Sequence, residues 1–459
     1  MIKILAEEFA EVVSGSLNGI DPKQIIDQTP VINSKDVGPD NFFAAFVGSK
    51  VDGHDYVMEA ISLGAKFALV SKPVSTAHIL VADVGQALID LATYLRDSLT
   101  ELKIVGITGS QGKTTTKEFL KSILSLAGQT VATAGNFNTD IGVPLSLLKC
   151  DQSTKYCVLE MGARHIGDIA RLTKVAKPNV GVVLVVGTAH LGEFGSVEAI
   201  AKTKSELIKS LPPKSTAILG TYDQYTPKMA DLLDLRKILF GPNQAVRAAD
   251  IEIHGGYAHF DLVTPGGRTA VSLQVLGEHQ IPNALAAAAA AHALGISNEM
   301  IAEGLITATL ASKWRMQIEE INGVHLIHDY YNANPESMKA AIRTLSLLSQ
   351  ESGGSSWAIL GKMHELGELE IEGHKGVTTF SRQIGIDHLV SVTTTLYQVG
   401  QNQNSDQNMQ QHNCLNAEAV LELVNNVSAG DVILLKASRS ERFEELANLI
   451  KDKLNGVSQ

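Results

Sequence analysis

Between Lys103 and Ala127 the sequence passes from a short apolar run through a glycine-rich turn into a helical pattern. This segment constrains the fold more than any other. Ile104, Val105 and Ile107 predict a buried strand. Thr108-Gly-Ser-Gln-Gly-Lys113-Thr114-Thr115 follows. Phe119, Leu120, Ile123, Leu124 and Ala127 then recur at helical spacing, with Gly128 at the expected C′ position. A strand that enters a helix through glycines aims several backbone N–H groups and the positive end of a helix dipole at one point, which suits a phosphate. Gly109, Ser110, Gln111 and Gly112 can wrap it, Lys113 can reach outer phosphates, and Thr114, followed by Thr115, can hold Mg²⁺. The segment departs from the pattern G-x-x-x-x-G-K-[ST], because five residues separate Gly106 from Gly112 and Ile107 stands in the usual glycine place.

The neighbouring segments extend this unit into a parallel α/β sheet. Tyr156–Leu159 and Val180–Val186 are continuous apolar runs separated by helical stretches, as expected for strands buried on both faces. Residues 245–280 change to alternating runs punctuated by Gly255-Gly256 and Pro265-Gly-Gly267, predicting a β-hairpin region before an alanine helix at 284–294. A first unit, 1 to about 100, opens with a helical pattern (Phe9, Val12, Val13) and holds short runs at 41–46 and 67–70 around a turn at 51–56. A third unit from about 312 has strand candidates at 324–328, 357–360, 388–392 and 432–435. Asn334 and Pro335 are a cap and first residue for the helix between the first two. The Gln/Asn-rich residues 401–413 are expected to form a surface loop.

Composition narrows the function. Among 459 residues, 38 basic and 49 acidic side chains leave a net charge of −11, which argues against non-specific nucleic-acid binding but not against a local phosphate site. Three cysteines are too few for a disulfide framework and point to a reducing cytoplasm. No apolar run is long enough for stable membrane insertion, and the N-terminus lacks a signal-peptide pattern.

Ligands gather at the carboxyl ends of strands in a doubly wound sheet. Glu160 directly follows the strand Tyr156–Leu159, and His190 lies four residues past Val186. Both are expected to converge on the phosphate loop, where a carboxylate is a natural Mg²⁺ ligand. Read alone, Glu160 also fits a solvated strand end and His190 a loop cap. Lys204 lies on the apolar stripe of Ile200, Leu207, Ile208 and Leu211, whereas Lys202 and Lys209 point away. It is either snorkelling or a functional lysine whose surroundings disfavour the ammonium. Asp329-Tyr-Tyr-Asn332-Ala-Asn334-Pro335 places an acid at a strand end and two amides at a helix start, as a substrate site or as a helix cap.

Together these segments resemble the Mur ligase family, ATP-dependent amide-bond ligases of peptidoglycan precursor synthesis. The phosphate loop, Gly135–Pro144, Ala189–Ser196, Asp52-Gly-His54, residues 329–335 and Ile359-Leu-Gly-Lys-Met-His-Glu-Leu-Gly367 carry the resemblance over nearly the whole chain. The last two resemble the branch that adds a terminal dipeptide. Four family motifs are altered, at Asn33-Ser34-Lys35, Gly220-Thr-Tyr-Asp223, Trp314-Arg315 (family Gly-Arg) and Lys436-Ala-Ser-Arg439. The resemblance implies an α/β chain of three domains: a small uridine-binding domain (1–100), a central P-loop parallel-sheet ATPase domain (101–312) and a C-terminal Rossmann-like domain (313–459) binding ATP and the incoming dipeptide. It implies ATP, two Mg²⁺ sites, UDP-N-acetylmuramoyl-tripeptide and D-alanyl-D-alanine as cofactors and substrates, with reaction through an acyl phosphate that a closing domain shields from water. Carried over by residue, Lys113, Glu160, His190 and Lys204 serve catalysis. Thr114 and Glu160 hold one Mg²⁺ and His190 a second, and Lys204 is carbamylated. Asn283, Arg315 and Asp329 join the phosphate loop on the nucleotide. Ser34, Asn136, Asn138, Thr139, Asn332 and Asn334 contact the other substrates. A ligase adding glutamate to folate or another amino acid to the muramoyl chain would keep the central sites without the segments at 329–335 and 359–367. A P-loop kinase would need neither Asn-Ala-Asn-Pro nor the stripe lysine, and a non-catalytic binding protein would be expected to lose Lys113, Glu160 or His190.

Overall fold

The computed structural model describes residues 1–48, 51–135, 137–310, 312–398 and 409–456. Its central sheet has six parallel strands in the order Arg236–Phe240, Thr216–Gly220, Val180–Val183, Lys103–Thr108, Tyr156–Glu160, Thr130–Ala132. The order reverses around Lys103–Thr108, and that strand feeds the phosphate loop and the helix Lys113–Ala127. Gly106 and Gly181 lie in this sheet where an added Cβ would stand 3.1–3.2 Å from Met161, Leu207 and Leu211. Side-chain-free positions let the helix Val197–Lys209 press against the strands and carry Lys204 toward their carboxyl ends. Gly128 ends the phosphate-loop helix in an extended conformation (φ 163°), not the left-handed one its C′ placement predicts.

The strand expected over Val180–Val186 stops at Val183, because the next residues turn to the phosphate loop: Ser110 N–H donates to Val185 O at 2.9 Å. The expected hairpin region is a three-stranded antiparallel sheet, Arg247–His254, Tyr257–Thr264 and Gly267–Leu276. Between it and the central sheet runs the alanine helix, Gln280–Ala293, with Ala284 to Ala291 all buried. Alanine is favoured there because a helix enclosed on every side must approach its neighbours closely.

Residues 16–80 form a five-stranded sheet, and its following helix, Val84–Ser98, packs on the central helices Gly142–Leu147 and Asp168–Ala176. One hydrophobic core therefore runs unbroken from Phe9 and Leu91 to Leu159 and Leu207. The last sheet, Gln317–Ile321, Val324–Asp329, Val432–Lys436, Ser356–Leu360, His388–Val392 and Gln410–Cys414, is parallel except for its first strand. Gln410–Cys414 corrects the expected loop. Its polar sequence suits an edge strand, where backbone pairing to His388–Val392 needs little apolar burial. Residues 401–408 of that expected loop lie outside the described residues.

Candidate active site

A cavity of about 1140 Å³ lies where the carboxyl ends of the two large sheets face each other. The phosphate loop lies on its central wall. Gly112 takes φ +83° as the helix begins, and a Cβ there would stand 2.1 Å from the Asn283 amide oxygen, so only glycine lets the loop lie against the alanine helix. Ser110 Oγ accepts from Gly187 N–H at 2.8 Å and fixes the loop to the segment leading to His190. Lys113 Nζ donates to Gly109 O at 2.8 Å. Burial holds its ammonium below the ordinary lysine value, with Arg315 adding to the shift and Glu160 opposing it. Gln111 is exposed, while Thr114 and Thr115 are buried at the start of the helix.

Thr114 Oγ1 donates to one Glu160 oxygen at 2.9 Å, and Asn138 Nδ2 donates to the other at 2.9 Å. A hydroxyl and a carboxylate side by side are hard oxygen donors, the chemistry Mg²⁺ takes when the rest of its shell is water and substrate phosphate. No group of three or more His, Cys, Asp or Glu able to hold a metal exists among the described residues. These residues fit a substrate-bridged ion and not an all-protein cage. Thr139 lines the cavity beside Asn138. Asn136 lies outside the described residues.

Lys204 reaches the cavity from the helix Val197–Lys209 and is 6% exposed. Burial, reinforced by Lys113, lowers its pKa to about 7, with no acid offsetting the shift. His190 holds a left-handed backbone (φ 64°), and its Nδ1 lies 2.6 Å from a Glu365 oxygen. Burial first, and Lys113 next, keep its imidazole below the ordinary histidine range, with Glu365 opposing.

The third unit closes the cavity. Arg315 lies with its guanidinium 4.1 Å from the Tyr331 ring centroid, and Asp329 accepts from Lys436 Nζ at 2.6 Å. Arg315 and Asp329 thus face the phosphate loop in this conformation, joined by direct bonds between the units: Thr188 Oγ1 donates to Glu336 at 2.8 Å, and Gly192 N–H donates to Glu365 O at 3.0 Å. Asn332 is exposed on the wall, its carbonyl accepting from Lys436 at 3.0 Å. Asn334 also lines the cavity, but its side-chain oxygen is committed to a capping box with Ser337. Ser34 does not join them. It is buried in the first unit, donating to Glu59 at 2.9 Å, while nearby Ile32 reaches the cavity wall.

Three side chains here have no role in the sequence reading. Lys436 is 2% exposed and binds the Asp329 carboxylate and the Asn332 carbonyl together; a lysine directly ending an apolar strand was the available signal. His279 is half-buried beside Asp329 and Lys436, and desolvation pushes its pKa down to about 4. Glu365 lies 175 residues from its partner His190, a pairing no local pattern announces. The altered glycine position, Trp314, takes φ 61° with its indole between the Arg439 guanidinium, 4.4 Å from its centroid, and the Tyr330 ring at 5.6 Å.

Three family models match in chain order: "Mur ligase family, catalytic domain" over 31–95, "Mur ligase middle domain" over 107–291 and "Mur ligase, glutamate ligase domain" over 314–439. A UDP-N-acetylmuramoyl-tripeptide–D-alanyl-D-alanine ligase of Mycobacterium tuberculosis is 34% identical over 86% of this chain and 84% of its own. The crystal structure of MurF from Acinetobacter baumannii superposes with a TM-score of 0.87 at 32% identity, covering 98% of this chain and 99% of that one. MurF ligase from Thermotoga maritima in complex with ADP matches at 0.80 and 29% identity, covering 94% and 99%. Sequence, fold and the convergence of Lys113, Glu160 and His190 on one cavity agree: the chain belongs to the Mur ligase family.

Proposed function

We propose that this protein joins D-alanyl-D-alanine to UDP-N-acetylmuramoyl-tripeptide with ATP, releasing ADP and phosphate in peptidoglycan precursor synthesis. The observation that carries this reading is the apposition of two walls. The phosphate loop with Thr114 and Glu160 forms one, and the Asp329–Asn334 segment of the third unit forms the other. In the reaction a tripeptide carboxylate oxygen attacks the terminal phosphorus of ATP and ADP leaves. The dipeptide amine nitrogen then attacks the acyl carbon, and the tetrahedral adduct gives up the amine's proton to solvent and expels phosphate.

The chain supplies charge and enclosure. Lys113 and Arg315 bring positive charge to the transferring phosphoryl group, which is worth most in a dry site. The third unit covers the acyl phosphate, whose competing fate is hydrolysis. Thr114 and Glu160 would hold one Mg²⁺ and His190 a second, which when bound supply further charge neutralisation for the phosphates. Lys204, carbamylated, would turn from a cation repelling these ions into an anion orienting them. Residues 1–100 take the uridine end, 101–312 the ATP, and 313–459 the dipeptide together with ATP. Among the described residues no helix is long and apolar enough to cross a membrane, and Cys150, Cys157 and Cys414 are free and buried. These features support a cytoplasmic setting.

Phosphate release from ATP tests the reading. With UDP-N-acetylmuramoyl-tripeptide, release is expected only when D-alanyl-D-alanine is added. Equal release with glutamate in its place, or without any acceptor, refutes it.

A further inference from the structure

The His190–Glu365 contact is unusual in three ways. It joins two units of the chain, both residues hold left-handed backbones (φ 64° and 63°), and it engages Nδ1 of the ring with a carboxylate at 2.6 Å. An ionised carboxylate only accepts hydrogen bonds. A neutral His190 in this contact carries its proton on Nδ1 and its lone pair on Nε2. Histidines that ligate metals generally donate their second nitrogen to such a partner, which fixes the tautomer and the ring's direction. Here that partner is not on the scaffold holding His190. It comes from the opposite wall, in the turn between the strand Ser356–Leu360 and the helix Glu370–Gln383.

The approach is built by backbone as well as side chain. Gly192 N–H donates to Glu365 O at 3.0 Å, and a Cβ on Gly192 would stand 3.1 Å from both that oxygen and Gly367 N. Two residues before His190, Thr188 bonds both oxygens of Glu336 at 2.8 and 2.9 Å. The 188–192 segment is thus held on both sides by the third unit. Left to the central unit alone, His190 would keep its strained backbone but lose the group that orients its ring.

We propose that Glu365 is a positioning residue delivered by domain closure: it locks His190 as the Nδ1–H tautomer, so that the ion and phosphate site is complete only when the third unit is docked. This rests on the ligase reading above. It predicts that Glu365 acts on Mg²⁺ use and turnover, not on capture of the uridine substrate, whose proposed seat is elsewhere.

The experiment compares wild type, Glu365→Ala and Glu365→Gln in the full-length protein. In the ligand-free state, ¹⁵N-histidine NMR, with His190 identified from a His190→Asn spectrum, should show Nδ1–H and an unprotonated Nε2 in wild type. Glu365→Ala should show a tautomer mixture. Kinetically, Glu365→Ala should raise the Mg²⁺ concentration for half-maximal rate or lower kcat by about 10–100-fold, the usual cost of losing such a partner. The KM for the uridine substrate should change less than about twofold. Glu365→Gln, whose amide oxygen still accepts from Nδ1–H, should fall between. Thermal melting and circular dichroism establish that each variant is folded. Wild-type Mg²⁺ dependence and kcat in Glu365→Ala overturn the proposal, and so does an unchanged His190 tautomer. A wild type without dipeptide-dependent phosphate release refutes the ligase reading instead, and the NMR comparison still decides the Glu365 contact.

Discussion

Lys204 offers the sharpest test of how this site is charged. Its pKa of about 7, against an ordinary 10.5, follows from burial and from Lys113, with no carboxylate to offset either. At pH 7 an ordinary lysine has roughly one amine in 3,000 unprotonated, whereas a pKa near 7 leaves about half, an enrichment of about 10³-fold in the form that reacts with carbon dioxide. In the proposed modification the amine nitrogen would bond the carbon of CO₂ and give its proton to solvent, leaving a carbamate anion. The same shift has a stability consequence with a definite sign. A base whose folded pKa is depressed carries its penalty in full below the folded value and loses it as pH rises toward the unfolded value. The penalty is on the order of 5 kcal/mol as a ceiling. In CO₂-free buffer, Lys204→Met should therefore be more stable than wild type at pH 6–7 by urea denaturation, with the difference shrinking toward pH 10. Lys204→Ala should lose about 10²–10³ in turnover, and acetate should restore part of it. Lys204→Glu should keep some activity and Lys204→Arg none. ¹³CO₂ labelling should give a carbamate resonance that Lys204→Arg lacks. Wild-type turnover in Lys204→Arg refutes the argument, because arginine can snorkel but cannot form the carbamate.

Two further outcomes follow from the same cavity. Lys113→Ala should fold normally, since the side chain is only half-buried, and lose about 10²–10³ in turnover; more than about a tenth of wild-type rate would count against the phosphate-loop assignment. Lys436→Met should cost about 3–5 kcal/mol in chemical denaturation, because it strands the Asp329 carboxylate of a pair 2% and 14% exposed. Adding Asp329→Asn should return much of that loss, and a purely additive double variant would show the pair to be uncoupled.

Much of the architecture was legible because it depends on patterns confined to single elements. Buried parallel strands are continuous apolar runs, so Lys103–Thr108, Tyr156–Glu160 and Val432–Lys436 fall within a residue of their predicted places. The phosphate loop announces itself because glycine, lysine and threonine each have a separate physical reason to be there. Gln410–Cys414 was not legible, since an edge strand is held by backbone pairing and leaves no apolar signature. Lys204 was half legible: its place on an apolar stripe marks it as costly, but only the structure shows Lys113 nearby and no acid offsetting the cost. Asn334 reads as both cap and substrate ligand, and the capping box takes its oxygen for the first role.

What the sequence conceals is pairing between distant segments, and in this protein those pairings make the site. The bonds His190–Glu365 and Thr188–Glu336 cross from the central to the third unit, and Arg315 lines the same cavity as Lys113. Both bonds are polar, and beside them Leu276 and Tyr257 of the central unit pack into the third unit's core, whereas the join between the first and central units is one unbroken apolar core. The difference has a physical consequence. The extended apolar burial between the first two units makes them a continuous platform, while the hydrogen bonds bordering the cavity can open and re-form at small cost about the smaller contact at Leu276 and Tyr257. A ligase must exclude water from an acyl phosphate and yet admit two substrates and ATP. Closing the cavity through polar bonds that include Glu365 on His190 meets both demands, because the contacts that shut out water also complete the site.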